Sequence, residues 1–592
     1  MAGHTTLARQ VRRGLAGLAA LALTVAPLAA QQAADTVAPE AAVDSTDKAA
    51  VSATRMMVAA ANPHAAEAGL AILQAGGSAA DALVAVQAVL GLVEPQSSGI
   101  GGGAFLVWYD AESGSLTTYD GRETAPAAAD GTLFLDADGE PLAFFDAVVG
   151  GRSVGVPGVV ALMDMVHDRH GRLAWAELFA LAIGLAETGF AVSPRLNALI
   201  AGDRERLAGQ AATRAYFLDA AGAPLAVGAT LTNPAYAETL RRIADGGAEA
   251  FYDGPIAQAI VAAVRGHADN PGLLSLEDFR AYAAKERPAV CAPYRGLSVC
   301  GMGPPSSGAL TVGQILGMVS HFDLAGLGPD DPQAWRIIGD ATRLAFADRG
   351  RYMADSDFVR LPEGLLDADY LESRAALIRR PDALGEDQVT AGEPPWEKAE
   401  LRLDGLSFEQ RSTSHFVIVD AAGNVASMTS SIENAFGARL MVEGFLLNNQ
   451  LTDFAFRPRD GDAAVANRVE PGKRPRSSMA PTIVLEDGRP LHALGSPGGS
   501  NIIPYVAKTL IALIDWEMDM QQAIDLPHLS NRFGTYEIEA GTPAAALAPE
   551  LQALGFPVLL RDLNSGLHGI TVTADGLTGG ADPRREGVVR GE

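Results

Sequence analysis

Two hydroxyls at the mouths of two predicted strands are the first residues from which chemistry can be read. In Arg411-Ser412-Thr413-Ser414-His415-Phe416-Val417-Ile418-Val419-Asp420 a polar run passes straight into a β-branched apolar strand, so Thr413 stands where a buried strand opens. Asp420-Ala421-Ala422-Gly423-Asn424 has tight-turn composition, and Val425 to Ser431 resumes strand character. Folding that hairpin about Ala422 sets Val419 opposite Val425, His415 opposite Thr429 and Thr413 opposite Ser431. A slip of one residue would turn Ser431 to the other face. A threonine hydroxyl with no base is inert. Scission before Thr413 would create an α-amine beside it, titrating near about pH 7.7–8.0 and able to take its proton. On these residues alone, Thr413 reads more readily as the first residue of an ordinary strand.

Further along lie Leu447-Asn448-Asn449-Gln450-Leu451-Thr452-Asp453-Phe454, Arg474-Pro475-Arg476-Ser477-Ser478-Met479 and Gly495-Ser496-Pro497-Gly498-Gly499-Ser500. Before them stand Glu94-Pro95-Gln96-Ser97-Ser98-Gly99-Ile100-Gly101-Gly102-Gly103 and Tyr119-Asp120-Gly121-Arg122-Glu123-Thr124-Ala125-Pro126. Singly, each has a plain explanation: a surface ion pair at Arg122-Glu123, turn formers at Ser477-Ser478, a simple turn at Gly498-Gly499. The run from Gly99 is no phosphate loop, since it lacks the Gly-Lys-Ser/Thr ending and leads into a strand.

Together and in this order, the segments resemble the γ-glutamyltransferase (glutathione hydrolase) family of N-terminal-nucleophile hydrolases, from about Val51 to the C-terminus. The resemblance implies an α+β fold, a four-layer αββα sandwich built jointly by two fragments; composition and periodicity show only a mixed chain. It implies self-cleavage between Ser412 and Thr413, giving a large subunit (51–412 after a leader and spacer) and a small catalytic one (413–592). Thr413 becomes the nucleophile, and Ser431 its hydrogen-bond partner where the family usually has Thr. Gly498 and Gly499 become the oxyanion donors, each worth about 2.7–4 kcal/mol of barrier in other hydrolases. Arg122, Ser477 and Ser478 are expected on the substrate's α-carboxylate, and Gln450, Asp453 and Glu433 on its α-amine. A planar, permanently charged guanidinium suits bidentate carboxylate binding. Implied substrates are glutathione and other γ-glutamyl amides, with water, an amino acid or a dipeptide as acceptor and no cofactor.

Two departures from the family pattern stand out. Glu433 replaces a common Asn, adding a carboxylate near Asp453. The segment Phe454 to Arg476 is shorter than in members with a long lid, and Arg457, Pro458, Arg459, Asp460 and Gly461 suggest a trimmed polar loop over an open cleft. Rival readings are a sister acylase acting on glutaryl β-lactams or poly-γ-glutamate, and an inactive binder of γ-glutamyl peptides.

The rest of the chain sets the frame. It has 592 residues, 48% of them hydrophobic, and a net charge of −26, so a large core is available and a nucleic-acid footprint is absent. Residues 1–30 combine Arg9, Arg12 and Arg13 with the apolar run Leu15 to Leu28 and Ala29-Ala30, a signal peptide for the general secretory route. That run, broken by Pro27, is a poor membrane span. The chain is therefore expected in a periplasm or outside the cell, with residues 31–50 as a disordered spacer. Cys291 and Cys300 flank Pro293-Tyr294-Arg295-Gly296 across an expected hairpin; they could form a disulfide there, the alternative being two buried thiols. The ten histidines show no metal-ligand spacing. Helices are expected at His64 to Ala75, Ser78 to Val93, Ser153 to Arg169, Leu173 to Thr188, Pro234 to Ala244, Pro255 to Val264 and Ala334 to Phe346. Glu386 to Glu409 reads as a flexible approach to the scission point.

Overall fold

The computed structural model describes residues 46–396, 412–461 and 463–592. The expected signal peptide, the spacer up to residue 45 and residues 397–411 of the approach lie outside them.

Two seven-stranded sheets are stacked face to face. One runs Val588–Gly591, Met57–Ala60, Ser414–Val419, Val425–Ser431, Gly103–Asp110, Ser115–Gly121, Lys285–Arg287, antiparallel throughout. The other runs Val51–Ala53, Gly576–Ala581, His568–Thr573, Arg489–Gly495, Thr482–Glu486, Leu297–Gly301, Val290–Tyr294. Alternation in the strand Ser414–Val419 decides the layering: Phe416 and Ile418 pack into a helical core, while Val417 and Val419 pack between the sheets. Both faces are apolar, so this strand must lie at the centre of the molecule.

Helices close both outer faces. Pro63–Gln74 starts at the Asn62 cap and Ala79–Val93 at a Ser78/Asp81 capping box. Every residue of Ala79–Val93 is buried, because its alanines let neighbours approach on all sides. On the far side Gly308–Val319, Pro332–Tyr352 and Ile502–Ile514 share a second core. The result is the expected four-layer αββα sandwich.

Two expected helices change shape. Ser153 to Gly158 is not helical; the helix is Val159–His170, since Pro157 disfavours helical geometry in the residue before it. Leu173 to Thr188 becomes a 3-10 turn, Trp175–Phe179, followed by the helix Ala180–Thr188; the Trp175 indole is tied to Ile243 O at 2.9 Å.

The segment after Asp453 exposes Arg457, Arg459 and Gly461 at its tip. On either side Phe454, Phe456 and Val469 are buried, with Phe456 stacked on Phe134 at 4.6 Å between ring centroids. Lys473 is buried too, donating to Ala466 O at 2.7 Å and Glu470 at 2.8 Å. Apolar anchors and a buried lysine hold the base of the segment, and the expected polar loop is its exposed tip.

Cys291 and Cys300 are register partners in adjacent strands and are joined as a disulfide. Residues 46–50, inside the expected spacer, are ordered: Thr46 N donates to Pro583 O and Lys48 is partly buried. Among the described residues no helix is long and apolar enough to cross a membrane, and no group of three or more His, Cys, Asp or Glu could hold a metal.

Candidate active site

The hairpin register is the one read from its turn: Val419 pairs with Val425, and His415 with Thr429. Thr413 therefore shares the inter-sheet face with His415, Val417 and Val419, at the open end of its strand. Its Oγ1 donates to the carbonyl oxygen of Ser412 at 2.7 Å and lies 3.2 Å from Ser431 Oγ, which reaches the same carbonyl at 3.0 Å. Glu433 N donates to Ser431 Oγ at 2.9 Å, holding that hydroxyl in place. Ser412 is fixed from the other side, its Oγ donating to Gln96 O at 2.6 Å.

Gln96 belongs to the turn that leads to the glycine run, and the run's composition has a steric cause. A Cβ on Gly102 would stand 2.1 Å from the carbonyl oxygen of Ser431, so backbone packs directly beneath the second hydroxyl. Asn448 stitches the same region, its Nδ2 donating to Gly101 O at 2.8 Å and Gly155 O at 3.0 Å.

Arg122, Thr413, Ser431, Glu433, Gln450, Asp453, Ser477, Ser478 and Gly499 line one cavity, with Met479 and Ile502. Gly498 immediately precedes that wall and has φ +138°, a conformation that favours glycine. Gly499–Asn501 is a 3-10 turn running into the helix Ile502–Ile514, whose N-terminal end thus faces the cavity and favours negative charge there.

At the far end, Arg122 is fully buried. Its Nη2 lies 2.5 Å from Asp453 Oδ2 and 3.0 Å from Arg476 O, and its Nε donates to Pro475 O at 3.1 Å. Gln450 Nε2 donates to the same Asp453 oxygen at 2.7 Å. Arg122 Nη1 and Gln450 Oε1 have no hydrogen-bond partner among the described residues. The next residue, Glu123, is fully buried, and desolvation pushes its carboxyl up to about 8 against the pull of Arg122. With its carboxyl raised in this way, Glu123, 3.8 Å from Arg122 Nη1, competes only weakly with Asp453 for the guanidinium.

The serine pair is held by the turn after Pro304-Pro305. Ser477 N donates to Pro305 O at 3.1 Å, and Ser307 Oγ donates to Ser477 O at 2.7 Å. Arg349, buried in the helix Pro332–Tyr352, donates to Ser307 Oγ at 2.8 Å and to Ser478 Oγ at 2.9 Å. Glu433 has φ +78°, and its carboxylate accepts from Asn449 Nδ2.

His415, two residues from Thr413, is not a base for it. Burial, and then the neighbouring His568, hold its pKa well below the ordinary range, and its Nδ1 pairs with Thr429 Oγ1 at 2.9 Å. Sequence reasoning passed over Arg585, whose Nη1 donates to Thr413 O at 3.2 Å, and over Glu123, Arg349, Met479 and Ile502. Met479 adjoins the serine pair and could have been named; Arg349 and Arg585 lie in segments with no local signal.

A four-layer αββα sandwich with a hydroxyl residue opening an inner strand is the layout of an N-terminal-nucleophile hydrolase. The chain matches the family model described as Gamma-glutamyltranspeptidase over residues 65–591, and it belongs to that family. It is 35% identical over 552 residues to the glutathione hydrolase proenzyme of Bacillus subtilis (strain 168), covering 90% of this chain and 91% of that one. It is also 35% identical over 563 residues to the acylase ACY 1 proenzyme of Pseudomonas sp. (strain SE83), covering 93% and 96%. Among solved structures, cephalosporin acylase from Bacillus halodurans is similar at TM-score 0.79 and 26% identity, covering 94% of this chain and 99% of that one.

Proposed function

We propose that the chain is an exported, self-activating γ-glutamyltransferase that hydrolyses glutathione and related γ-glutamyl amides or passes the acyl group to an amino acid or dipeptide. One observation carries this: Thr413 Oγ1 sits on the Ser412 carbonyl at one end of the cavity whose other end holds the Arg122–Asp453 pair.

Activation begins when Thr413 Oγ1 attacks the Ser412 carbonyl carbon, polarised by the hydrogen bond from Ser431. The C–N bond breaks as the amide nitrogen takes the proton, leaving an ester. Water then hydrolyses it to a Ser412 carboxylate and a free Thr413 amine and hydroxyl. The fragments 31–412 and 413–592 stay together, because the strand Ser414–Val419 lies between Met57–Ala60 and Val425–Ser431.

In turnover the new α-amine takes the proton from Thr413 Oγ1 as it attacks the γ-carbonyl, and the leaving amine departs protonated. The N–H groups of Gly498 and Gly499 stabilise the oxyanion. Water or an acceptor amine then attacks the γ-glutamyl ester and frees Thr413. Arg122, Ser477 and Ser478 hold the α-carboxylate; Asp453, Glu433 and Gln450 hold the α-ammonium. The Arg122–Asp453 pair presents both charges that a zwitterionic head group needs, at a fixed spacing.

The similarity to acylases favours one second reading, cleavage of glutaryl amides, which lack the ammonium. Purified protein is incubated with glutathione plus a dipeptide, and its products are identified by mass. Two bands on a denaturing gel, with the smaller starting at Thr413, and a γ-glutamyl product are expected. A single uncut chain without product sinks the proposal.

A further inference from the structure

The start of the described chain is tied to the nucleophile by a short relay of contacts. Thr46 N donates to Pro583 O at 3.1 Å, and the strand Val51–Ala53 pairs with Gly576–Ala581, so residues 46–53 run along the C-terminal hairpin and the turn beyond it. Lys48 Nζ donates to three carbonyls of that turn, Asp582 O at 2.6 Å, Arg585 O at 2.7 Å and Gly587 O at 2.5 Å. Three donors meet three acceptors, which saturates an ammonium. From the same turn Arg585 donates to the carbonyl oxygen of Thr413 at 3.2 Å. Lys48 precedes the family-matched region, residues 65–591.

We propose that Lys48 is a positioning residue for the nucleophile: it fixes the 582–587 turn, from which Arg585 holds the Thr413 backbone. This rests on the proposed role of Thr413. A neutral amine offers one donor fewer and no charge, so the clamp depends on protonation. Burial lowers the Lys48 pKa to about 8, against the pull of Asp582, Asp525 and Glu586, and His568 faces it from the strand behind. The protonated clamp is present below that value and lost as pH rises through it. A displacement of about 1 Å at a reacting atom can cost up to a hundredfold in rate, so loosening this turn matters to chemistry before it matters to folding.

The test uses full-length protein. Lys48→Met is expected to slow scission before Thr413 and to lower kcat on a γ-glutamyl anilide about tenfold, with KM within about twofold. The Thr413 α-amine titrates in the same range in both proteins, so the ratio of wild-type to variant kcat is read, and it is expected to fall toward one as pH rises through about 8. Cys291 and Cys300 are both in the disulfide, so in Lys48→Cys the new thiol alone can be aminoethylated, which rebuilds a primary amine and is expected to restore kcat. A Lys48→Met protein that matures and turns over like wild type overturns the proposal. So does an aminoethylated protein that regains its Tm but not its kcat. If Lys48→Met yields no soluble protein, Lys48→Cys before and after aminoethylation decides, and a kcat unchanged by the modification overturns the proposal. Wild type that is never cut before Thr413 would instead sink the proposed function.

Discussion

The two ends of the cavity are built on opposite principles. At the nucleophile end, Thr413, Ser431 and the Ser412 carbonyl are neutral, lie on one hairpin and meet through hydrogen bonds of 2.7 to 3.2 Å. At the other end, Arg122 and Asp453 carry full charges, come from distant segments and are both buried. Directional neutral donors suffice where the task is to aim a hydroxyl at a carbonyl. Buried opposite charges are costly to desolvate, and removing one partner leaves the other uncompensated. Damage at the first end should therefore stop the chemistry while leaving the fold, and damage at the second should weaken binding.

The sharpest way to break the contrast is Thr413→Ala. It is expected to remain one chain with no measurable turnover, because the proposed mechanism uses the same hydroxyl for scission and acyl transfer, and to keep the wild-type Tm. Thr413→Ser keeps the hydroxyl and should still be cut, more slowly. A small fragment beginning anywhere but residue 413 would remove the nucleophile from its assigned place.

Next in size is Arg122→Lys. The charge survives, but the fork that meets Asp453, Arg476 O and Pro475 O does not. Losing a charge-assisted hydrogen bond costs about 1.5–3 kcal/mol, so kcat/KM should fall roughly tenfold to a hundredfold or more, mostly through KM. A fall carried by kcat alone would mean that the two ends are not separate.

How much of each end was legible follows from the same contrast. The hairpin register could be read because the Asp420–Asn424 turn and the two-residue alternation fix each partner locally. Nothing local says that Arg122 lies beside Asp453; only the family's order of motifs suggested that they share a substrate. Arg585 and Lys48 stayed invisible, being remote in sequence from Thr413 and part of no motif. In the loop after Asp453 the charged tip was legible, whereas its anchors, Phe454 and Phe456, were not. Their partners Phe134 and Leu133 are more than three hundred residues away.

The histidines behind the nucleophile test whether that end owes its neutrality to burial. Burial pushes His492 down to about 4 and His568 to about 3, and His415 also lies well below its usual value. Unfolded histidines titrate near about 6.5. Below that the unfolded chain takes up protons that the folded one refuses, so their contribution is whole above about pH 6.5 and is lost as pH falls toward 4. Each histidine loses about 1.4 kcal/mol per pH unit in that window. Glu123 acts oppositely, with its raised pKa favouring the fold as pH drops from about 8 to 4.5. Asp164, Asp340, Asp355 and Asp525, whose carboxyls burial also raises, act with Glu123, and His170, lowered by burial, acts with the three histidines. The test therefore isolates one group: His492→Gln should flatten the fall of the urea midpoint between about pH 6.5 and pH 5. An unchanged pH dependence in that variant would mean that His492 is hydrated in the folded state.

The smallest effect is expected from Glu433→Asn, and it sharpens the contrast most, because Glu433 belongs to both ends. Its backbone N–H holds Ser431 and its side chain lines the cavity near Asp453. Its φ of +78° is strained for glutamate and better tolerated by asparagine, so the substitution should leave Tm unchanged or slightly raised. The backbone bond to Ser431 survives, so scission before Thr413 should proceed normally. What disappears is one carboxylate that a cationic α-amine would meet. A glutaryl head group brings no cation to the cavity that Glu433 and Asp453 both line, which disfavours glutaryl amides in the wild type. Removing one should hurt γ-glutamyl anilides by a few fold, about 1 kcal/mol, and hurt matched glutaryl anilides less. Specificity constants for both anilides, in both proteins, measure this directly. If the wild type cleaves the two about equally, the acidic wall does not read the ammonium, and glutaryl cleavage becomes the better account of the cavity.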